Sequence, residues 1–242
     1  MHLTLGSRRF VEINIAIRRF YSKSATAERW RTLIRTHTEV STDHMTPEIQ
    51  LHLITQKCSL WHSRGEDVPF PDPFWAFYWP GGQVLSRFVL DNARLFSDKR
   101  VLDIGSGCGA SAIASKMSGA HTVCANDIDR VAIEAIKMNC ELNGVFVDTS
   151  ADDVIGRQLQ DWDIVFLGDM FYDSYFANLF SCWLPRLSQG GIDVLVGDPG
   201  RLPLSDHPLK KNLVSLYQCS LPENSLKENS GMSTGTVWQY RA

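Results

Sequence analysis

The stretch that decides the fold runs from Lys99 to Ala110 and reads K-R-V-L-D-I-G-S-G-C-G-A. Its apolar first half predicts a buried strand, with the carboxylate of Asp103 near the end. Three glycines then follow in G-x-G-x-G spacing, at Gly105, Gly107 and Gly109. Glycine lets a backbone turn sharply and approach a ligand, and the helix expected next offers free N–H groups at its N-terminus. The stretch predicts a nucleotide-binding turn, although glycines also occur in turns that bind nothing.

Length, composition and charge limit the kinds of protein that this chain can be. The chain has 242 residues, 44% of them apolar, which is enough to bury a sizeable core. No run of about 18 apolar residues occurs, so a membrane-spanning helix is excluded. Residues 1–38 contain eight basic and two acidic residues, whereas the rest contains 16 basic and 25 acidic residues. The excess of acidic residues after residue 38 disfavours nucleic acid as a partner and suits binding to a basic protein surface.

The cysteines and histidines show no metal-binding pattern. None of the six cysteines forms a C-x-x-C pair, and the seven histidines lack ligand spacing. We therefore expect reduced thiols and no metal site.

The N-terminal segment, residues 1–27, interleaves arginines with apolar residues and is almost free of acids. This composition is typical of a mitochondrial transit peptide, because the arginines interrupt what would be the apolar region of a secretory signal. An ordinary basic helix at the N-terminus of a cytosolic protein remains the alternative.

Residues 28–82 are expected to form a helical lead-in and an aromatic loop. Apolar residues recur at helical spacing within residues 28–60, and Pro47 stands where a second helix would begin. Prolines and aromatic side chains crowd residues 67–83, which predicts an irregular apolar loop that lids a pocket. Trp79 belongs to this loop, and plain burial in the core is the alternative for its aromatic residues.

From residue 83 onward, helices and strands alternate. After the glycine turn, the expected helices are 131–143 and 175–187, and a further helix at 83–95 precedes the turn. The expected later strands are 122–125, 145–147, 164–168 and 192–196, closed by an antiparallel pair at 213–219 and 236–240. This alternation predicts a doubly wound α/β sheet with helices on both faces and ligands at the carboxyl ends of the strands.

Asp127 ends the second strand of this sheet. A carboxylate in that position lies beside the glycine turn and accepts hydrogen bonds from both ribose hydroxyls. Asp129 comes just before the next helix and is expected to cap it. Nicotinamide-dependent dehydrogenases use the same geometry, but their G-x-G-x-x-G fingerprint differs from the spacing found here.

The D-x-G-x-G-x-G run from Asp103 to Gly109 resembles the first motif of the seven-strand S-adenosylmethionine-dependent methyltransferases. The resemblance implies a Rossmann-like sheet over residues 83–242, mostly parallel with an antiparallel last strand. It also implies an S-adenosylmethionine site in which the glycine turn faces the amino-acid part. Asp127 would hold the ribose and Asp152, after the third strand, the adenine. The residues implied to bind the cofactor are Trp79, Asp103, Gly105, Gly107, Gly109, Asp127 and Asp152.

The D-x-x-Y run from Asp169 to Tyr172, after the fourth strand, resembles the protein-lysine branch of that family. Four further stretches, 74–82, 168–173, 197–201 and 228–231, are similar to the mitochondrial lysine methyltransferases of the electron transfer flavoprotein beta subunit. The resemblance implies an enzyme that methylates lysines of that subunit and thereby tunes electron transfer from dehydrogenases. We expect this enzyme to be a monomer.

The mechanism hypothesis gives Asp169 and Tyr172 the catalytic roles. Asp169 would orient the acceptor amine, and the positive sulfonium would favour the neutral form of lysine. Arg201, in the turn after the fifth strand, would meet acidic residues of a partner. The alternatives are that Asp169 only caps a helix, that the substrate is a small molecule or RNA, and that the chain binds the cofactor without catalysis.

Overall fold

The computed structural model describes residues 26–63, 69–70, 72–223 and 232–241. The predicted transit peptide, residues 1–27, lies outside the described residues except for its last two. None of the described helices is both long enough and apolar enough to cross a membrane.

The lead-in begins with helix α1, described over residues 26–37. The second helix, expected to begin at Pro47, does not form; the chain instead makes an antiparallel hairpin of β1 (Glu39–Ser41) and β2 (Leu51–Leu53). Side-chain amides from a later helix hold this hairpin: Asn139 Oδ1 accepts a hydrogen bond from the His52 amide at 2.8 Å. Tertiary contacts thus outweigh the local helical periodicity.

The main sheet has seven strands in the order β5-β4-β3-β6-β7-β9-β8. Their bounds are β3 Arg100–Ile104, β4 Thr122–Asn126, β5 Asp148–Ser150, β6 Ile164–Gly168, β7 Asp193–Asp198, β8 Leu213–Ser220 and β9 Thr234–Tyr240. Strands β3 to β7 are parallel, and β9 pairs antiparallel with both β7 and β8. The expected mostly parallel sheet with an antiparallel last strand is confirmed.

Helices cover both faces of this sheet, as expected. Those in the sheet region are α2 Pro80–Asp91, α3 Ala93–Phe96, α4 Ala110–Met117, α5 Arg130–Leu142, α6 Ser174–Gln189 and α7 Leu202–Ser205. Side chains of β6 alternate between the two hydrophobic clusters: Ile164 and Phe166 join the cluster with α2, α4 and α5, whereas Val165 and Leu167 join the one with α6. Burial on both faces explains the continuous apolar runs of these strands.

Two boundaries differ from the expectation for physical reasons. Helix α2 begins at Pro80 rather than residue 83, because proline at the first helical position lacks only an N–H group that the helix would leave unpaired. Strand β5 begins at Asp148 rather than Val145, because the Val145 amide closes the end of α5 by donating to the Cys140 carbonyl at 3.1 Å.

Candidate active site

The glycine turn lies between β3 and α4 at the carboxyl end of the sheet. Gly105, Gly107 and Gly109 have φ angles of +64°, +55° and +81°, which L-amino acids with a side chain rarely adopt. A β-carbon on Gly105 would overlap the Met170 sulfur, and one on Gly109 would lie 3.1 Å from the Ile136 side chain. The sequence pattern therefore needs glycine here for both conformation and space.

Asp103 is buried beneath this turn near the end of β3. Its Oδ2 accepts a hydrogen bond from the Ser106 hydroxyl at 2.5 Å. Burial raises the pKa of Asp103 to about 7, and the nearby Asp127 charge acts in the same direction, whereas the hydrogen bond from Ser106 opposes it. Asp103 therefore supports the turn from below.

Asp127 follows β4 and holds the turn from the side. Its Oδ2 accepts a hydrogen bond from the Gly107 amide at 2.9 Å, and its Oδ1 accepts one from the Asp129 amide at 3.0 Å. Burial raises the pKa of Asp127, and the two amide hydrogen bonds oppose that rise. Asp129 accepts from the Val131 amide at 2.8 Å and caps α5, so its expected role is confirmed.

Asp152 lies at the same edge, just after β5, and is exposed. The segment is tied to β4 because the Asn126 side-chain amide donates to the Asp152 carbonyl at 2.8 Å and to the Ser150 carbonyl at 3.1 Å. The exposed Ile128 stands next to Asp127 and presents an apolar surface at this edge. Asn126 and Ile128 were not selected from the sequence, although both adjoin Asp127.

The aromatic loop comes close to the turn. A β-carbon on Gly107 would lie 3.8 Å from the Trp75 Cα, so the short 3-10 helix Phe74–Ala76 faces the glycines. The Trp79 indole N–H donates to the Phe74 carbonyl at 2.9 Å, which fixes the half-buried Trp79 ring beside this helix. Residues 74–79 of the loop therefore lie beside the turn and lead directly into α2.

Asp169 follows β6 in a left-handed conformation, with a φ of +61°. Its Oδ2 accepts a hydrogen bond from the Gly81 amide at 2.7 Å, at the N-terminus of α2, and its Oδ1 accepts one from Arg201 Nε. The cap of α6 is Asp173, which accepts from the Phe176 amide at 2.9 Å. Asp169 is thus not the cap of the helix that follows it in sequence.

Arg201 binds an acid of its own chain. Its guanidinium pairs with Asp169 and lies 5.9 Å from the centroid of the Trp79 ring. The turn carrying it is held by Asp198, whose Oδ1 accepts from the Gly200 amide at 2.7 Å and the Arg201 amide at 3.0 Å. Arg201 therefore already has an acidic partner within the chain, and its expected contact with acids of a partner protein stays a prediction.

Four exposed apolar side chains lie close in sequence to Asp169, Arg201 or Trp79, and we call them the apolar collar: Phe74, Tyr172, Tyr175 and Leu202. Phe74, which is 65% exposed, contacts Trp79, and Leu202 follows Arg201. Tyr172 and Tyr175, which are 53% and 69% exposed, follow Asp169 in sequence and both pack against Phe176. Burial, and the charges of Asp173 and Asp127, raise the pKa of Tyr172, so its hydroxyl stays protonated at neutral pH. Among the described residues, no group of histidine, cysteine and acidic side chains has metal-binding geometry.

The chain is similar in sequence to known methyltransferases. The profile of the ribosomal protein L11 methyltransferase (PrmA) family matches residues 84–189. The electron transfer flavoprotein beta subunit lysine methyltransferase of Xenopus laevis is 49% identical over 212 residues, covering 87% of this chain and 86% of its own. The human protein of the same name is 45% identical over 214 residues, covering 87% and 82%. This chain belongs to the electron transfer flavoprotein beta subunit lysine methyltransferase family.

The fold of this family member is shared with distant proteins. A crystal structure of a putative RNA methyltransferase from Pyrococcus horikoshii is 15% identical, with a TM-score of 0.52, and covers 76% of this chain and 95% of its own. At this identity the likeness concerns the sheet and its helices alone.

Membership of the family makes the chain an S-adenosylmethionine-dependent methyltransferase, and the residues present fit that cofactor. The left-handed glycines leave the backbone of the turn open where a side chain would otherwise project. The Asp127 carboxylate is fixed by two amides and keeps lone pairs for ribose hydroxyls. An apolar side chain, Ile128, adjoins this acid, as an adenine ring requires.

Proposed function

We propose that this enzyme transfers methyl groups from S-adenosylmethionine to lysine side chains of the electron transfer flavoprotein beta subunit. The observation that carries the proposal is 49% identity to a protein of that named activity over nearly the whole of both chains. We further propose that it acts as a monomer in the mitochondrial matrix, with residues 1–27 as its transit peptide, and that methylation tunes electron transfer from dehydrogenases.

The cofactor would be held by the residues around the glycine turn. We assign Gly105, Gly107 and Gly109 to the amino-acid part, supported from below by Asp103, and Asp127 to the ribose. Asp152 and the apolar Ile128 would meet the adenine, and Trp79 would close the site from the aromatic loop. When bound, S-adenosylmethionine supplies an electrophilic methyl group on a sulfonium.

Asp169 and Tyr172 are proposed as the groups that receive the acceptor lysine. A lysine side chain has a reference pKa of about 10.4 and must lose a proton before its nitrogen lone pair can form a bond. A neutral tyrosine hydroxyl and a fixed carboxylate can align such an amine, and alignment alone supplies much of the acceleration in transfers of this kind.

The apolar collar supports a protein as substrate. Exposed aromatic and aliphatic side chains are enriched where proteins bind each other, and here they belong to the segments that carry Asp169, Arg201 and Trp79. Outside residues 1–38 the chain carries more acidic than basic residues, which suits a lysine-bearing surface.

The test combines the purified enzyme, S-adenosylmethionine with a labelled methyl group, and the purified electron transfer flavoprotein. We expect label on lysine residues of the beta subunit, located by mass spectrometry of its peptides. The absence of label on the beta subunit would contradict the proposed substrate.

Asp169→Ala should lose transfer while keeping its affinity for S-adenosylhomocysteine within about threefold, since Asp169 does not belong to the proposed cofactor residues. Asp173→Ala is the matched control: it removes an acid four residues further on that caps α6, and should cost only about 1 kcal/mol of stability. Full transfer by Asp169→Ala would remove Asp169 from the mechanism. Retained mitochondrial import after deletion of residues 1–27 would contradict the transit peptide.

A further inference from the structure

The carboxylate of Asp169 is already engaged. One oxygen accepts from the Gly81 amide at the N-terminus of α2, the other accepts from Arg201, and the side chain is only 3% exposed. An acceptor lysine therefore meets a carboxylate whose charge is balanced before the substrate arrives.

Arg201 is held so that it remains beside this acid. Its backbone amide is fixed by Asp198, its guanidinium pairs with Asp169, and the Trp79 ring lies 5.9 Å from the guanidinium carbon. The Arg201 side chain is 18% exposed, so it is more accessible to solvent than the Asp169 side chain with which it pairs.

The charged groups around this pair leave it close to neutral. Asp198 faces Arg201 from the end of β7, and Lys210, from the 3-10 helix Pro208–Asn212, is close enough for its pKa to respond to the Asp198 charge. Helix α2 contributes the Gly81 amide and the positive end of its dipole. Asp127, which holds the glycine turn, is close enough for its charge to raise the pKa of Tyr172.

The ion pair of Asp169 and Arg201 interacts with a lysine side chain differently from an unpaired carboxylate. A bare buried carboxylate would bind the ammonium as an ion pair and stabilise the protonated form, which has no lone pair to react. A carboxylate already paired with a guanidinium gains little from a second cation, and the guanidinium repels it. The neutral amine suffers no such repulsion, and it can donate an N–H to a remaining lone pair of the Asp169 carboxylate while its own lone pair stays free to form the new bond.

We propose that Arg201 is a specificity-determining residue that makes the site take the acceptor lysine as the free amine, by pairing with Asp169 and preventing an ammonium ion from being held there. The inference rests on the proposed function, in which lysine is the acceptor. The proton leaves the amine before the N–C bond forms and passes to water.

Titration calorimetry can measure the number of protons released when the substrate binds. Binding of the electron transfer flavoprotein beta subunit to the full-length enzyme, without cofactor, is measured at pH 7.5 in buffers with different enthalpies of ionisation. A beta subunit in which methionine replaces the methylated lysine serves as the reference. We expect the wild-type enzyme to release about one proton more when it binds the lysine form than when it binds the methionine form. We expect Arg201→Gln to release equal numbers of protons with the two forms.

Kinetics provide the second readout. In Arg201→Gln we expect a lower KM and a kcat profile shifted to higher pH by about one unit, equivalent to about a tenfold loss of kcat near neutral pH. Arg201→Lys keeps the charge and should retain the wild-type proton count. Lys211→Gln removes an exposed positive charge from the neighbouring 3-10 helix and should change neither quantity.

Opposite outcomes overturn the inference. Equal proton release by wild type and Arg201→Gln, or weaker substrate binding by a folded Arg201→Gln with an unshifted profile, would reduce Arg201 to a structural support. Failure of the proposed function gives a different result, because the wild-type enzyme would then place no methyl group on the beta subunit at all.

Discussion

Gly81 and Gly197 touch each other backbone to backbone, so that a β-carbon on either residue would overlap the carbonyl oxygen of the other. A β-carbon on Gly81 would also lie 2.6 Å from the Asp169 nitrogen. The N-terminus of α2 is thereby pressed onto the ends of β6 and β7, and the Gly81 amide reaches the Asp169 carboxylate only because this gap is so narrow.

Gly81→Ala should therefore damage both stability and transfer. Moving α2 away from the sheet to make room should cost about 1–3 kcal/mol of unfolding free energy and break the hydrogen bond to Asp169. Gly82→Ala is the matched control, because its β-carbon would meet only the Tyr78 ring at 3.6 Å. Urea denaturation and initial transfer rates measure both effects, and similar behaviour of the two variants would contradict the role given to the close contact.

Asp127→Ala should weaken cofactor binding by about tenfold or more, because a charged acceptor of hydrogen bonds is lost and the Gly107 amide loses its partner. Asp129→Ala removes an acid two residues away and should leave the affinity within about twofold while costing about 1 kcal/mol as a lost helix cap. Titration calorimetry with S-adenosylhomocysteine separates the two. A comparable loss of affinity in both variants would show that only the fold of this loop matters.

Asp103 should make stability depend on pH. Its pKa of about 7 in the folded protein exceeds the unfolded value, so the folded state holds the proton more strongly. The resulting stabilisation is complete below about pH 4 and is lost as the pH rises through 7. Relative to Asp103→Asn, the wild-type protein should therefore lose about 1 kcal/mol between pH 6 and pH 8. Denaturation at both pH values tests this, with the exposed Asp153→Asn as control; a constant difference would be evidence against a raised pKa.

The apolar collar should contribute to binding of the protein substrate but not of the cofactor. Tyr175→Ala should raise the KM for the beta subunit several-fold, because an exposed aromatic ring at an interface often contributes about 1 kcal/mol or more. Phe146→Ala removes an equally exposed ring that follows α5, away from Asp169, and should have no effect. If Tyr175→Ala leaves KM unchanged, the substrate approaches from elsewhere.

The sequence predicts those structural features that depend only on residues close together in the chain. The glycine turn, the helix cap at Asp129 and the buried strand at 164–168 follow from local composition, and the structure confirms them. The strand at 145–147 was misplaced because Val145 closes a helix, a role that apolar content does not reveal. The hairpin at 39–53 was missed because its partners, such as Asn139, come from a distant helix.

The pair of Asp169 and Arg201 could not be read from the chain for a similar reason. The two residues are 32 positions apart, and only the parallel pairing of β6 with β7 brings the ends of their strands together. An arginine in a turn looks solvent-exposed until the register of that pairing is known. The roles of Asp169, Tyr172 and the cofactor residues remain predictions, of which the variants above test those of Asp169 and Asp127.

The site cannot be completed during synthesis until the antiparallel strand β9 has been made. It is inserted between β7 and β8, and Thr236 is the register partner of Asp198, the residue that anchors the Arg201 turn. Until residue 240 has left the ribosome, β7 has an open edge that invites pairing with other chains. A nascent chain therefore carries the glycine turn long before the turn that bears Arg201 is anchored, and its aggregation risk is greatest in that interval.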